Sequence, residues 1–264
     1  MALFKKKAPL PQPREDGLTD YNHYFMTRKE KIFYIAAAAV VLFAVGYIFY
    51  HNFILAGLLA LLSFKFPAIR TKQIIKKRKS ELTNQFKDML YALSSSLSAG
   101  RSVESGFKEA FNDMRIMYPD ENTDIMCELE YIVRGLEMNE TIEDMIDRFA
   151  QRAHIEDIDN FADIFRTCKR TGGDLVKVIR NTSQTIGEKI EVKQEIDTLI
   201  SGKKFEFKIL MVMPIALLVV LSVTTEDYMQ PVFETIQGRI IMTIAIAVFG
   251  AAYFIGKKIM DIKV

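Results

Sequence analysis

The chain has 264 residues, of which half are hydrophobic and 26% are charged, and its formal net charge is +2. Nucleic-acid binding requires a clustered basic face, which so small a charge excess does not supply, so we expect no nucleic-acid partner. The two cysteines, Cys127 and Cys168, form no CxxC pair and have no neighbouring histidine. This pattern argues against a zinc site and favours a reducing compartment.

Residues 1–28 combine lysine, proline and acidic residues ahead of the first apolar run. A segment of this composition buries little apolar surface, and it does not have the pattern of a cleavable signal peptide. We expect residues 1–28 to form a flexible tail on the cytoplasmic side, without a chemical role.

Long apolar runs near both ends of the chain predict membrane spans. No residue from Ile32 to Phe64 is charged, and this run is longer than the roughly 20 helical residues that cross a bilayer core. The polar pair His51-Asn52 divides it into two spans, and two further runs, 209–225 and 240–256, are each close to the minimum spanning length. The sequence therefore predicts one transmembrane hairpin at 29–69 and a second at 207–264, which ends in a short cytoplasmic tail.

Lysine and arginine residues are concentrated on one side of these spans. They precede the first and third spans and follow the second and fourth, whereas the segment between the last two spans is acidic, with Arg239 only at its edge. By the positive-inside rule, both termini and the middle domain face the cytoplasm. We therefore expect a multi-pass protein of the cytoplasmic membrane, whose basic stretch at 70–79 can also contact anionic membrane lipids.

The charged middle of the chain, residues 70–206, shows only helical periodicity. Apolar residues recur every three to four positions in six successive segments, without a two-residue alternation. The segments are 82–97, 103–114, 125–133, 142–149, 158–168 and 175–199. Because the first and last of them continue into the second and third spans, we predict an antiparallel helical bundle tied to the membrane by two helical stalks.

Three joints between these helices combine glycine with a capping residue. They are Gly100 with Ser102, Gly135 with Thr141, and Gly172 and Gly173 with Asp174. Glycine can take the left-handed conformation that ends a helix, and Ser, Thr or Asp caps the next helix. At the second joint, Asp144 can complete a capping box. The glycine spacing also suits a two-helix repeat, but the tetratricopeptide signature is absent.

The sequence offers no catalytic or cofactor site. It lacks a phosphate-binding Gly-x-x-x-x-Gly-Lys-Ser/Thr loop, and the turn at 171–174 has no lysine. The acidic pairs at 143–144 and 156–157 and the lone His154 are typical of solvated helix faces rather than of metal centres. The span interiors contain no ionisable residue, which disfavours a transport path. We expect no enzymatic activity, no metal and no cofactor.

Three short motifs resemble the F-domain family of type II secretion and pilus-assembly platform proteins, specifically the Tad-type members TadB and TadC. The motifs are FKDMLYAL at 86–93, SAGRSV at 98–103, and TGGDL at 171–175 followed by a long amphipathic helix. The resemblance covers about residues 30–262 and includes a single F domain at 70–206. It implies an inner-membrane platform that couples a cytoplasmic hexameric secretion ATPase to the insertion of pilin subunits, with a paralogous platform protein or a second copy as partner.

The resemblance also suggests where an ATPase docks. Turns at the end of the bundle furthest from the membrane can enter an ATPase ring, and the charged residues beside them are Arg101, Glu104, Arg170 and Asp174. The alternative is that these side chains only cap and solvate helices. Two other functions stay open: a small transporter or channel subunit with a regulatory domain, and a membrane-anchored signalling scaffold. A neighbouring gene for a secretion ATPase would separate the three.

Overall fold

The computed structural model describes residues 18–260, apart from the side chains of residues 226–228 and 234. Within this range the chain forms ten α-helices and one 3-10 segment, and it contains no strand. The helices are α1 Arg28–Tyr50, α2 Phe53–Ala60, α3 Phe66–Ser98, α4 Val103–Met117, α5 Asp124–Glu137, α6 Ile142–Ala153, α7 Glu156–Thr171, α8 Leu175–Thr224, α9 Glu226–Glu234 and α10 Ile236–Met260. The 3-10 segment, Leu61–Lys65, lies between α2 and α3.

Four helical stretches are long and apolar enough to cross a membrane. They are Arg28–Tyr50, Phe53–Ser98, Leu175–Thr224 and Ile236–Met260. Their large apolar side chains are mostly exposed, as in Ile54, Val40 and Val220, which suits helices that have lipid as their solvent. The predicted all-α membrane protein with four spans is confirmed.

The chain divides into two compact units. The described part of the first unit is 18–26 and 71–191, and that of the second is 27–70 and 192–260. Residues 192–206, which form the stalk part of α8 and fall within the predicted helical domain at 70–206, belong to the second unit. The chain crosses between the units after residues 26, 70 and 191. Two of these crossings lie within the continuous helices α3 and α8.

The first unit is an antiparallel bundle of α4–α7 with the adjoining parts of α3 and α8. The predicted helical stripes supply its core, because apolar residues three and four positions apart share one helix face. Phe86 of α3 lies edge-on to Phe149 of α6 and Phe161 of α7, with ring centroids 5.9 and 5.4 Å apart. Such ring pairs contribute about 0.5–1.5 kcal/mol beyond the area that they bury.

In the second unit, the pair His51-Asn52 forms the tight turn that the sequence predicts between the first two spans. His51 takes the left-handed conformation, and the Asn52 side chain caps α2 by accepting a hydrogen bond from the Ile54 amide at 2.9 Å. The hairpin closes tightly at Gly46, where an added Cβ would lie 2.9 Å from Ala56 Cα. The Tyr50 hydroxyl donates to Thr243 at 2.9 Å, which joins α1 to α10.

Both helical stalks are present, and the second span has an unpredicted break. Helix α8 continues without interruption from Leu175 to Thr224 and passes through Pro214. The second span is interrupted by Leu61–Lys65 before α3 begins at Phe66. Pro67 falls in the first turn of α3, where a missing amide hydrogen breaks no helical bond. Helix α9, between the last two spans, was not predicted.

The prediction of a flexible tail over residues 1–28 is wrong for residues 18–28. Residues 18–26 pack against the bundle, Tyr21 is only 2% exposed, and Arg28 already begins α1. The overall composition of residues 1–28 is proline-rich and charged, and it gives no indication that one of its aromatic residues, Tyr21, is buried against the bundle. Residues 1–17, and residues 261–264 of the predicted short cytoplasmic tail, lie outside the described residues.

Candidate functional site

Three turns between helices lie together at one end of the bundle, which we call the tip: residues 99–102, 138–141 and 172–174. Lys169, near the end of α7, is 2.9 Å from Glu143 at the start of α6 and 3.8 Å from Glu104 at the start of α4. Arg180, early in α8, donates to Ser98 at the end of α3 at 3.4 Å. The opposite end of the bundle, which we call the base, contains the other turns and the points where α3 enters and α8 leaves.

Two tip turns have the form that the glycine pattern predicts. Gly100 and Gly172 have positive φ angles of 83° and 72°, in the left-handed region that favours glycine. The Ser102 hydroxyl accepts a hydrogen bond from the Ser105 amide at 3.2 Å. The Asp174 carboxylate accepts one from the Lys177 amide at 3.0 Å and so caps α8.

Gly173 differs from its neighbour because space, rather than backbone conformation, requires a glycine there. Its φ is not positive, but a Cβ at Gly173 would lie 2.7 Å from the Cys168 sulfur. The turn therefore depends on Gly172 for its backbone conformation and on Gly173 for its close packing against α7.

The expectation that Gly135 closes a helix is wrong. Gly135 lies inside α5, which continues to Glu137, and Asn139 is the residue with positive φ in this turn. A Cβ at Gly135 would collide with the Met145 side chain, so this glycine lets α5 and α6 approach each other. The role of Gly135 was predicted wrongly because a glycine in a sequence is compatible both with a turn and with a close contact between helices.

Thr141 caps α6 without a complete capping box. The Thr141 hydroxyl oxygen accepts from the Asp144 amide at 3.4 Å. The Asp144 carboxylate accepts a hydrogen bond from the same hydroxyl at 2.6 Å rather than reaching back to the backbone. A capping box uses Glu or Gln, and the aspartate side chain is one methylene shorter.

The four residues proposed from the sequence to face an ATPase are all exposed at the tip. Arg101 pairs with Glu109 at 2.8 Å, and Glu104 lies 3.8 Å from Lys169, which joins the first tip turn to the end of α7. Arg170 is exposed in the last turn of α7, and Asp174 caps α8. Exposed ion pairs contribute only about 0–1 kcal/mol, so these charges can turn to a charged partner at little cost.

Two open grooves flank the tip. One, of about 660 Å³, lies between α3 and α8 and is lined by polar side chains that include Ser94, Arg180 and Ser183, with Tyr91 at its edge. The other, of about 610 Å³, lies between α7 and α8 and reaches Asp174. Among the described residues, no group of three or more His, Cys, Asp or Glu side chains is placed to hold a metal ion.

The base of the bundle contains a buried polar network that was not predicted from the sequence. Arg152 donates to both carboxylate oxygens of Glu128, at 3.3 and 2.5 Å. The Tyr21 hydroxyl donates to Glu128 at 2.9 Å. Burial raises the pKa of Glu128 despite the opposing effect of Arg152. Burial and the nearby Glu128 carboxylate raise the pKa of Tyr21 well above its usual value.

A second charged pair completes this network. Arg78 donates to both carboxylate oxygens of Asp124, at 2.8 and 2.5 Å, and its guanidinium lies 4.9 Å from the centre of the Tyr21 ring. Asp124 is the first residue of α5, where a negative charge also suits the helix dipole. Tyr21 therefore contacts both ion pairs, Glu128 through its hydroxyl and Arg78 through its ring.

One sequence signal could have revealed this network. Glu128 is three residues after Ile125 and four before Ile132, so it falls inside an apolar helix stripe. Arg152 is three residues after Phe149, on the buried face of the next helix. Charges of opposite sign on the apolar faces of neighbouring helices indicate a buried pair, because an unpaired buried charge is very costly.

The fold and the site together define a class: an all-α membrane protein in which a compact helical bundle is inserted between two pairs of spans. A family model described as type II secretion system (T2SS), protein F, matches residues 89–223, which is just over half of the chain. The chain belongs to this family, and the resemblance is confirmed at that level. No curated protein and no solved structure matches the chain.

Proposed function

We propose that this protein is the inner-membrane platform of a Tad-type pilus or of a related type II secretion machine, of the TadB or TadC type. It couples a cytoplasmic hexameric secretion ATPase to the assembly of pilin subunits, and it hydrolyses no nucleotide itself. Membership of the secretion protein F family supports this role. A paralogous platform protein or a second copy completes the platform.

The observation that carries the proposal is the continuity of α8. This helix begins at the tip beside Asp174 and ends in the third span at Thr224. Its 50 residues give a length of about 75 Å at 1.5 Å per residue. An α-helix is hydrogen-bonded from turn to turn, and Pro214 removes one such bond only within the third span, so a displacement imposed at the tip is transmitted along α8 as far as that span. The platform therefore works by movement and needs no catalytic group of its own.

The third span supplies a surface for pilin. Its apolar side chains, such as Val212, Leu217 and Val220, are exposed in the chain alone. Such a surface is compatible with lipid and equally with the apolar helix of a membrane-inserted pilin, since both present hydrocarbon. Movement of α8 then changes the surface that a pilin subunit meets as it leaves the bilayer.

Binding of the ATPase at the tip is the direct test of this role. Full-length protein in detergent is expected to co-purify with the ATPase encoded in the same gene cluster. The double substitution Arg101→Glu, Arg170→Glu is expected to weaken binding at least about 10-fold, because like charges facing each other across an interface are strongly unfavourable. Dissociation constants from a pull-down titration measure the effect.

A matched control has the same change in charge at the base. Lys77→Glu with Arg115→Glu reverses two exposed basic residues at that end of the bundle, and this variant is expected to bind like the wild type. Equal weakening in both variants would show a general charge effect and reject the tip. Failure of the wild-type protein to bind the ATPase would reject the platform role.

The orientation in the membrane gives a second test. With Cys127 and Cys168 replaced, a cysteine at Thr235 is expected to react with a membrane-impermeant thiol reagent in intact cells. A cysteine at Lys108, an exposed position in the bundle, is expected to react only after the cells are permeabilised. The reason is the excess of lysine and arginine on the bundle side of the spans. The opposite labelling pattern would place the bundle outside the cytoplasm and exclude an ATPase partner.

A further inference from the structure

The groove between α3 and α8 belongs wholly to the first unit and has a volume of about 660 Å³. Six of its nine lining residues lie on α3 between Lys87 and Ser98, and the other three lie on α8 between Arg180 and Gln184. The stretch of α3 from Lys87 to Ser98 is about 16 Å long at 1.5 Å per residue. The groove is therefore large enough for a small organic molecule.

Arg180 is a cation of this groove that has no carboxylate partner within the described part of the chain. Its guanidinium makes a single contact, a hydrogen bond to the Ser98 hydroxyl at 3.4 Å. A guanidinium has five N–H donors, so most of those of Arg180 remain unused. Arg134 on α5 differs in this respect, because it pairs with the Glu130 carboxylate at 2.5 Å.

Ser94 presents a second unused donor to the same groove. The residue is only 6% exposed, and its hydroxyl forms no hydrogen bond with any described residue. In that part of the chain, no polar side-chain atom that is fully buried lacks a hydrogen-bond partner. The Ser94 hydroxyl is therefore not enclosed by protein but opens onto the groove that this residue lines. Ser183, on the opposite wall, is satisfied by donating to the Lys87 carbonyl at 3.2 Å.

The acceptors of the groove are already occupied. Asp88 is the one carboxylate among its described lining residues. It accepts a hydrogen bond from the Tyr118 hydroxyl at 2.7 Å and lies 3.1 Å from the Lys87 ammonium. Two cations thus line the groove against one paired carboxylate, and the groups left unused beside Arg180 are donors. An anion rich in acceptor atoms complements this arrangement.

The donor set favours phosphate among the common biological anions. A guanidinium binds a phosphate through two parallel hydrogen bonds, and the hydroxyls of Ser94 and Ser95 add donors from one stretch of α3. Phosphate has three terminal oxygens to accept these bonds, whereas a carboxylate has only two. The groove is also larger than a phosphate ion and lies in the usual range of small-molecule sites, about 300–1,000 Å³.

We propose that the groove between α3 and α8 binds the phosphate group of a small molecule at its Arg180 end. Arg180 supplies the positive charge, and Ser94 and Ser95 donate from their hydroxyls. The Tyr91 ring at the edge of the groove is 75% exposed and offers a face on which a flat organic group can stack.

Calorimetric titration of the full-length protein in detergent, in a phosphate-free buffer, tests this site with three probes. Inorganic phosphate and adenosine monophosphate are expected to bind, and adenosine is expected to bind at least about 10-fold more weakly than its monophosphate, because it lacks the charged group. Tighter binding of the monophosphate than of inorganic phosphate would assign the site to an organic phosphate. Equal affinity of these two probes would assign it to the free ion.

Two substitutions locate the site. Arg180→Gln is expected to weaken phosphate binding about 10-fold or more, because it removes the charge-assisted hydrogen bonds. Ser94→Ala is expected to weaken binding by roughly 3- to 10-fold. The same variant is expected to unfold at the wild-type temperature or above it, since the Ser94 hydroxyl makes no bond within the protein and alanine is the better helix former. A purely structural role of Ser94 would instead lower the unfolding temperature.

Arg134→Gln is the matched control, since it makes the same change at an exposed arginine outside the groove. It is expected to leave the dissociation constant unchanged. Equal weakening by Arg134→Gln and Arg180→Gln would show a general charge effect and overturn the proposal. Binding of adenosine as tight as that of its monophosphate would also overturn it, as would the absence of binding by both phosphate probes.

Discussion

Arg152→Met is expected to lower the stability of α5 and α6 by about 3–5 kcal/mol, because it leaves the Glu128 carboxylate buried without its cation. Methionine approximates the length of the arginine side chain, so the change removes the charge with little loss of packing. Glu128 is fully buried, and the remaining donor from Tyr21 cannot replace a bidentate guanidinium. The measurement is hydrogen exchange of the most protected amides of both helices in the full-length protein.

The control for this prediction lies one turn away on the same helix. Arg148 pairs with Glu140 at 2.9 Å, but about half of its side chain is exposed. Arg148→Met is therefore expected to cost about 0–1 kcal/mol. If Arg152→Met proved as mild as Arg148→Met, the buried pair at the base would not be desolvated in solution.

A double substitution separates the two charges from the packing around them. Replacing Glu128 and Arg152 together by methionine is expected to recover most of the loss caused by Arg152→Met alone, since a buried ion pair exchanged for apolar residues of similar volume is often close to neutral. If the double variant were less stable than Arg152→Met alone, the Glu128–Arg152 pair would stabilise the bundle by more than the neutralisation of each other's charge.

The helices of the bundle were predictable because their signals are local. The stripe from Ile142 to Phe149 and the capping residue Thr141 together specify α6, which begins at Ile142 as expected. The spans were predictable for a similar reason, since an uncharged run of sufficient length has few alternatives. The predicted turn at His51-Asn52 needs only local polarity.

The parts that were not predicted depend on contacts between distant residues. Tyr21 donates a hydrogen bond to Glu128, which is 107 positions further along the chain, and the local composition of residues 18–26 does not indicate this contact. Gly135 was misassigned for the same reason, because its role is set by Met145 on the next helix. A docking face is harder still to predict from the sequence, because it depends on the complementary surface of another protein.

Gly135→Ala is expected to destabilise the contact between α5 and α6 by about 1–3 kcal/mol, because the added methyl group overpacks a closed interface. A Cβ at this position collides with the Met145 sulfur and lies 3.2 Å from Met145 Cγ, and Met145 is fully buried. Hydrogen exchange of the α5 and α6 amides in the full-length protein measures the loss.

Gly187→Ala provides a control of opposite sign. Gly187 also lies inside a helix, but a Cβ there would meet only Lys87 Cδ, at 3.8 Å. Because alanine is the better helix former, this substitution is expected to stabilise α8 by about 0.5–1 kcal/mol.

The collision with Met145 makes a further expectation specific to this pair. Met145→Ala alone is expected to cost about 2–5 kcal/mol through the cavity that it leaves. In the double variant Gly135→Ala, Met145→Ala, the new methyl group occupies part of that cavity, so the combined loss is expected to be smaller than the sum of the two single losses by about 1 kcal/mol or more. Simple additivity would show that the two residues do not touch, and Gly135 would then need another explanation than the approach of α5 to α6.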